Sequence, residues 1–137
     1  MLIANSMNIC FDRFPEVDLL PRMAAAGYAG VDFNFWDLIR RLNWHDPAEA
    51  DPWLDALAKA AAASGLAWVQ GHGPVFNLFT ESDDDRFQRD LAVTALRACG
   101  RLGVPWLVMH PSTLRIPPDD HVQFRQLIEV NVDYFRS

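Results

Sequence analysis

Short apolar runs alternate with longer segments whose apolar residues recur at helical spacing. The first run spans Leu2 to Met7. A helical pattern follows from about Pro15 to Ala26, with Val17, Leu20, Met23 and Ala24 on one face. Gly27 stands where a helix C-cap glycine belongs, and Pro21 inside the segment predicts a kink or a late start. The second run covers Gly30 to Trp36, and an irregular stretch covers Leu38 to Ala50. Asp51-Pro52 then reads as an N-cap followed by a first-turn proline. Its helix presents Trp53, Leu54, Leu57, Ala58 and Ala61 and stops at Ser64-Gly65.

A third run, Leu66 to Gly71, ends in His72-Gly73-Pro74. Asp83, Asp84 and Asp85 place negative charge where the next helix dipole favours it. Phe87, Leu91, Ala95, Ala98 and Leu102 repeat at the spacing of a buried helix face, and Gly103 closes it. The fourth run, Val104 to Met109, ends in His110-Pro111. A loop over residues 116–120 leads into a last helix from about His121, which shows Phe124, Leu127, Ile128 and Phe135.

Strict alternation of strand and helix predicts an α/β fold of parallel strands joined by right-handed crossovers. The units number four, and a closed barrel of eight needs roughly 250 residues. The expected architecture is therefore a single domain over residues 1–137, a half-barrel truncated in its fourth helix.

Composition narrows the function classes. A 50% apolar, 22% charged chain can build a core and is not a disordered composition. No window approaches the roughly 20 apolar residues of a membrane span, and the start lacks the basic residue of a secretory signal. Cys10 and Cys99 make no disulfide framework, which suits a cytoplasmic protein. The net charge is −6 and Lys59 is the only lysine, so nucleic acid is a poor bulk partner.

The candidate chemistry clusters at strand ends. His72 and His110 both close an apolar strand, where a parallel barrel presents its active-site rim. Period two puts Trp68, Gln70 and His72 on one face of the third strand, and Trp106, Val108 and His110 on one face of the fourth. Inward-pointing faces would let the imidazoles converge on a small ligand as donors, acceptors or metal ligands; otherwise each histidine bonds a neighbouring loop. Asp32, Asn34 and Trp36 share a face of the second strand and offer hydrogen bonds and an aromatic platform to a polyol. The alternative for Asp32 is a nearby arginine. Asn5 and Asn8 occupy similar positions after strand one.

His45 and His121, beside Asp46 and Asp120, read as solvated or capping groups. Trp44, Trp53, Phe76 and Phe79 read as core or rim packing, and Arg40-Arg41 as an exposed pair or a phosphate contact. Cys10 is either a buried small hydrophobe or a thiol at the first strand end. No phosphate-binding glycine loop, Gly-x-Ser-x-Gly elbow or CxxC is present.

The stretches Gly27-Tyr28-Ala29-Gly30-Val31-Asp32-Phe33-Asn34-Phe35-Trp36-Asp37, Val69-Gln70-Gly71-His72-Gly73-Pro74 and Gly103-Val104-Pro105-Trp106-Leu107-Val108-Met109-His110-Pro111 are in order along the chain. Together they resemble strands two, three and four of the xylose-isomerase-like TIM barrels, a superfamily of sugar-phosphate isomerases and epimerases and of type IV apurinic endonucleases. The resemblance implies metal-dependent isomerase or epimerase chemistry on a small sugar or sugar phosphate. A divalent metal (Mn, Mg, Co or Zn) would stabilise an enediolate while a carboxylate moves a proton. The main metal ligands and acid–base carboxylates of the family lie on strands five to eight, so no metal ligand is assigned within these residues. The isolated chain is then expected to have no turnover, with His72, His110, Asp32, Asn34 and Trp36 binding substrate. An endonuclease-like zinc enzyme is the alternative. A non-catalytic half-barrel that forms a homodimer through its open sheet edges is another.

Overall fold

The computed structural model describes residues 3–10, 13–80, 82–117 and 119–136. Four parallel strands, β1 (Ala4–Ser6), β2 (Gly30–Asn34), β3 (Ala67–His72) and β4 (Leu107–Val108), form one sheet in chain order. The helices are α1 (Glu16–Ala25), α2 (Phe35–Leu38), α3 (Pro47–Ala63), α4 (Asp83–Asp90), α5 (Ala92–Leu102) and α6 (His121–Arg136), with a 3₁₀ turn at Met7–Cys10. This is the α/β half-barrel architecture expected from the alternation of runs.

One face of the sheet is covered by helices. Val31, Phe33 and Phe35 are completely buried in a cluster with Leu20, Leu57, Ala95 and Cys99. That cluster brings α1, α3 and α5 onto the same side. Gly71 is needed here. A Cβ at this position would sit 3.0 Å from Cys99 Sγ and 3.1 Å from the Phe33 carbonyl oxygen, so only hydrogen lets α5 approach β3 so closely.

Several boundaries move for identifiable reasons. α3 begins at Pro47, not after Asp51, because Asp46 caps it: Asp46 Oδ1 accepts from the Ala48 amide at 2.9 Å. The Asp-Pro signal occurs twice, and the upstream copy prevails where Trp44 is anchored. Trp44 is buried, donates from Nε1 to the Leu38 carbonyl at 3.0 Å and packs on Phe35 and Trp53. β2 ends at Asn34, so Trp36 belongs to α2 and its period-two place on the strand is lost. The single helix expected after Asp83 is divided at buried Leu91 into α4 and α5.

The third strand also departs from strict alternation. Val31 lies opposite Trp68, but Asp32 lies opposite Gln70, leaving Val69 as the extra residue of a bulge. Trp68 therefore turns to the helix side, edge-on to Phe33 with ring centroids 6.0 Å apart. It does not share a face with Gln70 and His72 as period two predicts. α6 differs in another way: none of its residues is buried, and Phe124, Ile128 and Phe135 are exposed.

Candidate functional site

The open face of the sheet carries the polar residues. The bulge at Val69 restores the parity that puts Gln70 and His72 beside Asp32. His72 Nδ1 lies 2.9 Å from Asp32 Oδ2, and Gln70 Nε2 reaches the same oxygen at 3.5 Å. Asp32 is only 8% exposed, and its Oδ1 has no hydrogen-bond partner. A buried carboxylate oxygen left open beside a partly exposed imidazole has capacity to accept one further hydrogen bond.

Pairing of His72 Nδ1 with an ionised Asp32 favours the tautomer that carries hydrogen on Nδ1. Nε2 is then the acceptor. The His110 ring stacks on His72, with centroids 6.2 Å apart and planes 21° from parallel. Asp32, His72 and His110 thus lie together at the ends of β2, β3 and β4.

Asn34 and Trp36 occupy the adjoining rim. Asn34 is the register partner of His72 and donates from Nδ2 to Asp37 Oδ2 at 2.8 Å, while its own Oδ1 is buried without a partner. Asn8 donates to the same Asp37 oxygen from the turn after β1. Trp36, 46% exposed, lines a cavity of about 290 Å³ with Asp37, Ile39, Arg40, Asp84 and Gln88. Of these, Asp37, Asp84 and Gln88 were not among the candidates. Asp84 is hidden in a run that helix-dipole reasoning fully explains, and only the fold sets it opposite Arg40.

The loop after β3 is tied to the start of α4. Asp85 accepts from the hydroxyls of Ser82 and Thr80 and, at 2.7 Å, from the Asn77 amide. These bonds, the Ser82 hydroxyl foremost, hold its carboxyl below the ordinary value of 3.8. Buried Ser112 continues the rim by accepting from the Leu78 amide at 2.8 Å.

Other candidates lie elsewhere. Asn5 donates to the Tyr28 hydroxyl at 3.1 Å. Arg40 pairs with Asp84 and lies over the Phe87 ring, and Arg41 approaches the buried Glu16 carboxylate at 3.5 Å. His45 lines a separate cavity of about 360 Å³ between α3 and α5, in the helical layer, with Arg97 and Arg101. His121 is exposed at the start of α6. Phe76 is buried against Tyr134, ring centroids 5.3 Å apart. The Cys10 side chain lies outside the described residues.

The rim does not fit a resident metal ion. Asp32 Oδ2 already engages His72, and near-parallel stacking prevents the two imidazoles from aiming their nitrogens at one point between them. Among the described residues no group of three or more histidine, cysteine or carboxylate side chains is placed to hold a cation. What this arrangement offers is an oriented acceptor nitrogen, an open carboxylate oxygen and an aromatic plate, a set suited to a polyhydroxylated molecule. No described helix is long and apolar enough to cross a membrane. No curated protein matches the chain. A family model described as a xylose isomerase-like TIM barrel matches residues 20–131.

Proposed function

We propose, for a chain that belongs to the xylose isomerase-like TIM barrel family, the substrate-binding side of a sugar or sugar-phosphate isomerase or epimerase. The Asp32–His72 contact carries this reading, with His110 stacked behind it at the ends of adjacent strands. Asp32 orients the ring, so that Nε2 accepts from a substrate hydroxyl. The open Asp32 oxygen accepts from a neighbouring one, and Trp36 offers its face to the C–H side of the sugar. Two acceptors at fixed separation select a vicinal diol, the group on which proton shift between adjacent carbons operates.

The four strands contribute binding and orientation. The carboxylates that move the proton, and the divalent metal that polarises the substrate oxygen, are assigned to further strands. The net charge of −6 and single lysine disfavour the endonuclease alternative.

The test is a titration of the 137-residue chain with D-xylose and D-fructose, followed by NMR at the His72 and His110 ring protons. Saturable shifts, lost in His72→Ala and not produced by abasic duplex DNA, are expected. Shifts with the DNA in place of the sugars would transfer the site to nuclease chemistry. In D₂O with added Mg²⁺, which is diamagnetic, the bound sugar should keep its C–H signals. Deuterium exchange catalysed by these residues alone would sink the assignment of proton transfer to other strands.

A further inference from the structure

The rim discriminates by charge, and we infer that the sugar it takes is uncharged: a neutral aldose, ketose or polyol in preference to a sugar phosphate. This deepens the sugar-site reading and rests on it. The first observation is the cavity beside Trp36. Arg40 is the only basic residue among its lining side chains, against Asp37 and Asp84. That arginine is already engaged, paired with Asp84 and stacked over Phe87. The cavity therefore carries an excess negative charge.

The second observation concerns the helix N-termini, which collect at this end of a parallel α/β sheet and are the usual backbone sites for phosphate. Here those of α1, α3, α4 and α6 are supplied with carboxylates from the chain itself, while α5, which continues from α4 at Leu91, has none in its first turn. α1 has Glu16 and Asp18 in its first turn, α3 has Glu49 after the Asp46 cap, and α4 has Asp83, Asp84 and Asp85. Asp120 accepts from the Gln123 amide at the start of α6 at 3.0 Å. A phosphate dianion meets carboxylates where it needs N–H groups.

The third observation identifies what does fit. Asp32 Oδ1 and Asn34 Oδ1, on β2 just before Trp36, are both buried, unpartnered acceptors, whereas the Gln88 amide at the cavity wall is engaged at both ends, by the Val75 amide and by Asp84. Acceptors in excess, beside an exposed indole, match hydroxyl donors on a neutral ring. They cannot match a group that presents only acceptors.

The experiment compares D-fructose, D-fructose 6-phosphate and inorganic phosphate as probes of the 137-residue chain, read at the Trp36 indole N–H by NMR and assigned with Trp36→Phe. Fructose should bind about tenfold more tightly than its phosphate, since like charges at a partly solvated rim cost roughly that much. Asp84→Asn, at an exposed position, releases Arg40 and should raise affinity for fructose 6-phosphate about tenfold, the value of one charge-assisted bond. Tighter binding of the phosphate to the unaltered chain, or no gain in Asp84→Asn, would overturn the charge inference and leave the sugar site standing. If none of the probes moves the Trp36 signal, the sugar reading falls and the inference with it.

Discussion

Cys99 illustrates how far a single side chain answers to its surroundings. It packs under Gly71 on the helix side of β3, and burial, assisted by the Asp32 charge, pushes its thiol from 9.0 up to about 11. The folded chain thus keeps a proton that the unfolded chain releases first. The associated stability is complete below pH 9 and is lost as the pH rises through 11. Urea unfolding should show about 2 kcal/mol less stability at pH 10.5 than at pH 8 from this group. Cys99→Ala should remove that difference, and an identical loss in the variant would refute the assignment. The inert character of a buried cysteine is foreseeable from composition, but its neighbours are not. The same holds for Asp32. Its place on the polar face of a strand end is readable in the order Val31-Asp32-Phe33-Asn34, while its pairing with His72 needs the bulge at Val69, for which no residue type in the strand is diagnostic. Trp36 is legible as chemistry and Asp84 only as a helix-start charge, and their approach is not legible at all, because it depends on where β2 stops.

The elements separate into those fixed by an apolar face and those held by a few polar bonds. α3 and α5 bury one side each, and their periodicity announces them. α6 has the same periodicity without the burial, since an amphipathic pattern states that a face is apolar and not that something covers it. Its attachment is narrow. Asn131 Oδ1 accepts from the Ser112 amide at 2.7 Å, and Nδ2 donates to the Ser112 and Leu127 carbonyls at 3.0 and 2.8 Å. Tyr134 adds its ring contact with Phe76. Asn131→Ala strands the backbone groups of buried Ser112 and should cost about 1–3 kcal/mol, locally. Hydrogen exchange should show α6 amides losing protection while those of β2 and β3 keep theirs. Uniform loss across the sheet would mean that α6 is integral to the core. The helix starts at Asp46 and Ser82 follow local rules, yet choosing between two Asp-Pro steps required knowing that Trp44 is anchored.

For the molecule as a whole, the sheet is finished on one face and open on the other. β1 and β4 each pair on one side among the described residues, and Trp106, beside β4, is 73% exposed. Two such sheets contain the strand number of a closed barrel, with β4 of one copy meeting β1 of the next in parallel around a two-fold axis. For the 137-residue chain, light scattering on a sizing column should give about twice 15.5 kDa with one cooperative melting transition. Trp106→Asp should shift it to the monomer mass. A well-folded monomer would show that the open face is stable in water. Strand order equal to chain order has a further consequence for how the protein is made. Each new strand needs only the one synthesised immediately before it, so the growing edge of the sheet is always the segment that has just left the ribosome. The partner for every crossover is already in place when the crossover is translated. Assembly can then proceed in the direction of synthesis, one strand and one helix at a time.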